Sequence, residues 1–299
     1  MMTETHTKKS VVKGRLALFA TTLLWGTSFV VLKNTLDEVP TLCMLAIRFT
    51  GAALIMLVAG LRDLKRLDKD YLKSGAVMGL CLFFAYGFQT YGLLYTTPGK
   101  NAFLTATYCV TVPFLHWAMD KKRPGKHNLL AAFLCITGMG LVSLREDFSV
   151  GLGDALTAVC GLFYALHMIY TARFAKGRSV VLLSFVQFSV VAALSWLFSP
   201  LEGRMPTMTR ESALAIAYLC VMCTAVCFFL QIYGQKVTPP SAAAVIMTLE
   251  SVFGALGSVL FYHEALGVKM LLGFALIFVS VLVSELSPDL SQSPDPALP

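Results

Sequence analysis

The sequence predicts an all-α membrane protein whose ten transmembrane helices form a 5+5 inverted-topology repeat. Three observations predict it. The chain of 299 residues is 57% hydrophobic and 14% charged, with a mean hydropathy of +0.71, whereas soluble domains carry about 25% charged residues. Its apolar residues gather into segments of roughly 17–24 residues, enough to cross a ~30 Å hydrocarbon core at about 1.5 Å per residue. The second half also repeats polar residues of the first in register.

The apolar segments run over 15–32, 41–60, 74–95, 102–119, 128–144, 153–174, 180–198, 213–237, 241–261 and 267–284. Lys8, Lys9 and Lys13 precede the first, as in a signal peptide, but Lys33 and Asn34 follow it instead of a small-residue cleavage site. It reads as a retained signal-anchor helix. Short connections marked by Gly and Pro, such as 96–100 and 122–126, join the segments. The bounds divide the chain into a first repeat at 15–145 and a second at 153–285. A cytoplasmic tail of 1–14 and a Pro-, Ser- and Asp-rich, disordered cytoplasmic tail of 286–299 flank them.

Lys and Arg crowd the N-terminus and the loops at 62–73, 121–126 and 173–178, which ten crossings put on one side. The positive-inside bias then makes both termini cytoplasmic, in a cell (inner) membrane. The net charge of +7 is explained as this topology signal and calls for no nucleic-acid partner. All eight Cys fall inside apolar segments, which argues against a disulfide framework. Cys220, Cys223 and Cys227 share a helical face, but no His joins them at ligand spacing. Neither a metal nor a cofactor is expected.

A shift of 142 positions carries Gln89, Tyr91, Gly92, Thr96 and Pro98 onto Gln231, Tyr233, Gly234, Thr238 and Pro240, and Tyr108 onto Glu250. A shift of 139 carries Trp25 onto Tyr164 and Arg48-Phe49 onto Gln187-Phe188. Halves of five helices, being odd in number, enter the bilayer with opposite orientation, the design of alternating-access transporters.

Glu250 sits at the middle of 241–261. A carboxylate at that depth costs on the order of 2.5 kcal/mol or more unless it faces protein or a water-filled cavity. Tyr108 is its counterpart in the first half, and Gln89 with Gln231 and Trp25 with Tyr164 make two further symmetric pairs. His167 titrates near neutral pH when solvated and joins the candidate set, with a structural, hydrogen-bonded His as the alternative. Arg48 lies about eight residues inside one helix end, by count along a helix, and reads as a gate or structural residue that snorkels or caps. Gly254, Gly257, Ala243 and Met247 share the Glu250 face, for close helix approach or substrate room.

The stretch LLWGTSFVVLK (23–33), the pair Arg48-Phe49 and TLESVFGALGSVLFYHEALG (248–267) resemble the drug/metabolite transporter (DMT) superfamily, specifically proteins built from two EamA domains. Ser251 stands where that family's ninth-helix pattern often has Pro. The resemblance spans about 15–284. It implies that helices 1, 3, 4, 6, 8 and 9 line a central cavity, with 5 and 10 peripheral. Trp25, Gln89, Tyr108, Tyr164, His167, Gln231 and Glu250 all lie on the lining helices, as substrate-binding candidates, with Glu250 also the proton-coupling candidate.

The expected function is therefore a secondary active transporter, an exporter of a small metabolite such as an amino acid, working by alternating access. Its partners are that substrate, the lipid bilayer and protons, as a monomer or a homodimer. A sugar-phosphate or nucleotide-sugar carrier is the runner-up; helices 3, 4, 6, 8 and 9 lack a basic residue at mid-depth, which phosphate would call for. A channel would need a charge ring or filter loop. An intramembrane enzyme would need HExxH or a paired Asp within the spans, and the sequence has neither.

Overall fold

The computed structural model describes residues 8–121, 123–144, 150–174, 178–238, 246–247 and 249–285. The tail at 286–299, Arg145, and the start of the ninth expected segment with its Ala243 lie outside the described residues. The described chain is helical throughout: α1 (Lys8–Thr35), α2 (Thr41–Ala59), α3 (Lys69–Tyr95), α4 (Pro98–Thr105), α5 (Tyr108–Asp120), α6 (Lys126–Ser143), α7 (Leu152–Phe174), α8 (Val180–Phe198), α9 (Arg210–Cys220), α10 (Cys227–Val237), α11 (Leu249–Tyr262) and α12 (Val268–Glu285). Among the described residues, eight stretches are long and apolar enough to cross a membrane, and α11 and α12 are shorter apolar helices.

Local chemistry sets the helix ends. The Asp68 carboxylate accepts from the Tyr71 amide at 2.8 Å and starts α3. Thr97, followed by Pro98 in the first turn, caps α4. Thr209 and Ser212 form a reciprocal capping box at α9. Lys121, at φ 59°, ends α5 with a left-handed residue.

Two of the ten expected helices are not continuous. The fourth breaks after Thr105 and restarts at Tyr108. Pro113 has no amide proton and its ring crowds the carbonyl four residues earlier, and the turn upstream tightens to i→i−3 bonds, Cys109 to Ala106 and Val110 to Thr107. The eighth widens into a π-turn at Val221–Val226 between α9 and α10.

Side-chain contacts fix the running directions. Asn34, at the end of α1, meets Tyr262 at the end of α11; Thr96, after α3, meets Asp154 at the start of α7. Glu202, after α8, accepts from the Leu42 amide at the start of α2. These contacts define one end of the bundle, called here the far end. At the opposite, near end Arg173 of α7 meets Asp120 of α5, and Tyr71 of α3 accepts from the Ser179 amide that precedes α8. Hence α1 and α3 run from near to far, and α7 runs from far to near. The main core fills the space between α1, α2, α3, α8 and the α9–α10 unit, around Met44, Leu45, Phe49, Leu82 and Phe188. Two smaller clusters join α6 to α12 and α5.

Candidate functional site

The break in the fourth helix and the π-turn in the eighth both face the middle of the bundle. There the helices enclose a cavity of about 80 Å³. Trp25, Arg48, Gln89, Tyr108, Tyr164, His167, Gln231 and Glu250 all line it, so every candidate from the sequence meets at one place. Liquid water occupies roughly 30 Å³ per molecule, and ligand pockets run to about 300 Å³ or more. This cavity has room for only a few waters.

Gln89 is the hub of its first-half wall. Its amide nitrogen donates to Thr105 Oγ1 at 3.1 Å, at the break, and its amide oxygen accepts from Tyr164 Oη at 3.0 Å. Asn101 donates to the Gln89 carbonyl and to Thr157 Oγ1, tying α3, α4 and α7 together. The Tyr164 ring stands edge-on to Tyr86 at 5.6 Å and tilted to Tyr108 at 6.2 Å. Tyr86 was missed in the sequence, although it lies one helical turn before Gln89 on the same face.

On the second-half wall the π-turn does the positioning. Thr224 Oγ1 donates to the Leu219 carbonyl, five residues back, and accepts from Arg48 Nε at 2.7 Å. Trp25 Nε1 donates to the Cys223 carbonyl at 2.8 Å, locking α1 to the same turn. A π-turn leaves wider hydrogen-bonding gaps than an α-helix and recurs at functional sites.

Arg48 does not snorkel outward as the depth count suggested. It is 2% exposed, and its guanidinium lies 4.9 Å from the Tyr86 ring centre and 5.6 Å from that of Phe49. A basic group therefore does line the cavity, from α2, a helix outside the expected lining set. Among the described residues it forms no ion pair. Glu250, half-buried in the first turn of α11, forms none either. His167 spends one ring nitrogen on Gln187 Oε1 at 2.8 Å. Gly254 packs so closely that a Cβ there would meet Ala102 Cβ at 2.5 Å; the small residues of this face serve close helix approach.

Residues 12–144 and 151–286 each match the EamA-like transporter family. The chain belongs to the EamA-like transporter family. It is thus a multi-pass membrane transporter of the DMT type. Among its relatives is an "Uncharacterized transporter" of Archaeoglobus fulgidus, 31% identical over 91% of this chain and 85% of that one. Another is "Uncharacterized transporter YoaV" of Bacillus subtilis, 22% identical over 92% of this chain and 97% of that one. A solved crystal structure covers 90% of this chain and 95% of its own, with a TM-score of 0.63 at 20% identity, which supports the fold alone. The transporter names of the relatives point away from an enzyme.

Proposed function

We propose that this EamA transporter is an exporter of a small zwitterionic metabolite of the amino-acid kind, carried by alternating access and coupled to protons through Glu250. The observation that carries the reading is the presence of one guanidinium and one carboxyl on the wall of the same small cavity. A zwitterion offers each its complement: a carboxylate for Arg48, an ammonium for Glu250. Aromatic rings of Trp25, Tyr86, Tyr108 and Tyr164 supply the remaining walls. With no cargo, a proton on Glu250 substitutes for the ammonium.

Ten crossings in two inverted halves follow from the same reading, with repeats at 15–145 and 153–285 and both termini cytoplasmic. The helix pairings support it, because they exchange when the halves are swapped. α3 packs on α7 as α10 packs on α1; α3 packs on α8 as α9 packs on α2; α1 packs on α11 as α7 packs on α4 and α5. The pairs α2–α8, α6–α12 and α4–α11 map onto themselves.

To test the coupling, efflux from vesicles is measured across pH for Glu250→Gln. A flat profile with retained transport is expected; a profile as steep as the native one would remove Glu250 from the coupling. A carrier of phosphorylated sugars is the second reading, and the cavity-lining Arg48 is the observation that favours it. A phosphate brings about −1.5 to −2 charges, which a single guanidinium facing a carboxyl balances poorly. Competition of labelled amino-acid efflux by sugar phosphates, but not by other amino acids, would favour that second carrier.

A further inference from the structure

A second, larger cavity holds none of the candidate residues of the central site. It is a groove of about 710 Å³ at the near end, between α2, α8 and α10. Its inner wall is apolar, made by Met56, Val181, Phe228, Phe229 and Ile232. Its rim carries Arg66, Arg178, Tyr71, Tyr233 and one carboxylate, Asp63.

We propose that this groove binds an anionic phospholipid. Arg66 and Arg178 hold the phosphate, and an acyl chain lies along Val181, Ile232 and the two phenylalanines. Arg178 is fixed in place: Nη1 donates to Ser74 Oγ at 3.0 Å and to the Phe174 carbonyl at 3.3 Å, and the guanidinium lies 5.8 Å from the Tyr71 ring centre. Among the described residues no carboxylate pairs with it. Arg66 reaches out with a 70% exposed side chain and has only the loose 3.4 Å contact to Asp63. Exposed Arg62 and Lys65 on the same 3-10 turn add positive charge. The first turn of the 19-residue α8 lines the same rim, adding the positive end of its dipole.

The groove's flank argues for a lipid over a soluble anion. Phe229 is 61% exposed and Tyr233 37% exposed, on the side of a helix long and apolar enough to span a membrane. A large apolar side chain there meets acyl chains, and a tyrosine beside it suits the headgroup boundary. Basic pockets between spanning helices at that boundary take anionic headgroups.

The site also reaches the transport cavity. Phe228 lines both spaces, and its ring meets Trp25 edge-on at 5.9 Å and Phe188 at 5.1 Å. An acyl chain in the groove therefore rests on the outer face of a ring whose inner face walls the central cavity.

The test uses the full chain, purified in detergent and delipidated. Thermal unfolding and native mass spectrometry are followed with phosphatidylglycerol, with phosphatidylcholine of the same chains, and with glycerol phosphate. Phosphatidylglycerol is expected to raise the unfolding temperature and stay bound, and the other two are not. R66Q with R178Q should weaken phosphatidylglycerol binding roughly fivefold per arginine, and R66K with R178K should keep most of it. Ile232→Trp, which fills the groove and leaves the arginines intact, should also displace the lipid. Equal shifts with phosphatidylcholine, a full shift with glycerol phosphate alone, or native-like lipid retention in either the R66Q/R178Q or the Ile232→Trp protein would each overturn the proposal. Should R178Q fail to fold, R66Q alone carries the charge arm, since its side chain is exposed.

Discussion

At the scale of residues, the centre of the bundle is a small polar network set in aromatic walls. Gln89 is its most connected member, and the energetics of its bonds are unequal. Gln89→Leu removes two side-chain bonds at once, the one it accepts from the Tyr164 hydroxyl and the one it donates to Thr105 Oγ1, which keeps its 3.6 Å contact with Cys160 Sγ; a stranded buried polar group costs about 1–3 kcal/mol. Tyr164→Phe removes one donor and strands only the Gln89 Oε1 acceptor, at about 1–3 kcal/mol, while Gln89 keeps its Thr105 bond. Thermal unfolding in detergent should therefore order the stabilities as native, Tyr164→Phe, then Gln89→Leu. The reverse order would mean that the ring contacts of Tyr164, and not the amide, hold this wall. The residues of the site were largely legible in the sequence, because a polar group in an apolar span is conspicuous by its cost and the repeat doubles the signal. The direction of Arg48 was not. Whether a long cation snorkels or turns inward depends on what receives it, and here the receiver is Thr224, whose hydroxyl a π-turn presents from far along the chain.

At the scale of elements, eight long apolar spans and two shorter apolar helices among the described residues fall on the segments hydropathy marked, and what hydropathy could not convey was the hydrogen-bonding register inside a span. The span broken between Thr105 and Tyr108 carries Pro113 further along, inside α5, a helix-weakening signal that the sequence displays. The π-turn at Val221–Val226 has none within its own sequence; its freed Cys223 carbonyl is taken by Trp25 from α1. Close helix contacts are the other element-level feature. A Cβ at Gly153 would lie 2.6 Å from the Tyr95 carbonyl carbon, 2.7 Å from the Gly92 oxygen and 2.8 Å from the Thr96 nitrogen, all backbone. Backbone cannot swing aside as a side chain does. Gly153→Ala is therefore expected to destabilise by about 1–3 kcal/mol through overpacking, read as a lowered unfolding temperature. A silent Gly153→Ala would mean that α3 and α7 slide apart at no cost. Trp25→Phe should be milder in packing but should release the π-turn carbonyl, and faster hydrogen exchange over 221–226 would report it.

At the scale of the whole molecule, the two ends of the bundle are closed by corresponding contacts. The repeat shifts of 139 and 142 carry Asn34 onto Arg173 and Asp120 onto Tyr262. Asn34 meets Tyr262 at the far end, and Arg173 grips both oxygens of Asp120 at 2.7 Å at the near end, with His116 on the same carboxylate at 3.0 Å. One latch is a neutral hydrogen bond and the other an ion pair, so equivalent positions close the two ends with different chemistry. Between the two latches lies the cavity of about 80 Å³. Alternating access requires that one latch open while the other stays shut. All eight native cysteines are buried thiols outside any disulfide, so introduced cysteines at exposed ends can be labelled selectively. Spin-label pairs at the exposed neighbours of the latches, Asp37 with His263 in one protein and Lys121 with Ala172 in another, should each show a short and a long distance. On lowering the pH or adding cargo, the long-distance population should rise in one pair as it falls in the other. Removing only the ion pair, by Asp120→Asn, should raise the near-open population and leave the Asn34–Tyr262 end closed. If both ends lengthened together, the protein would conduct as a channel does, and the symmetric pairing of its latches would have no part in transport.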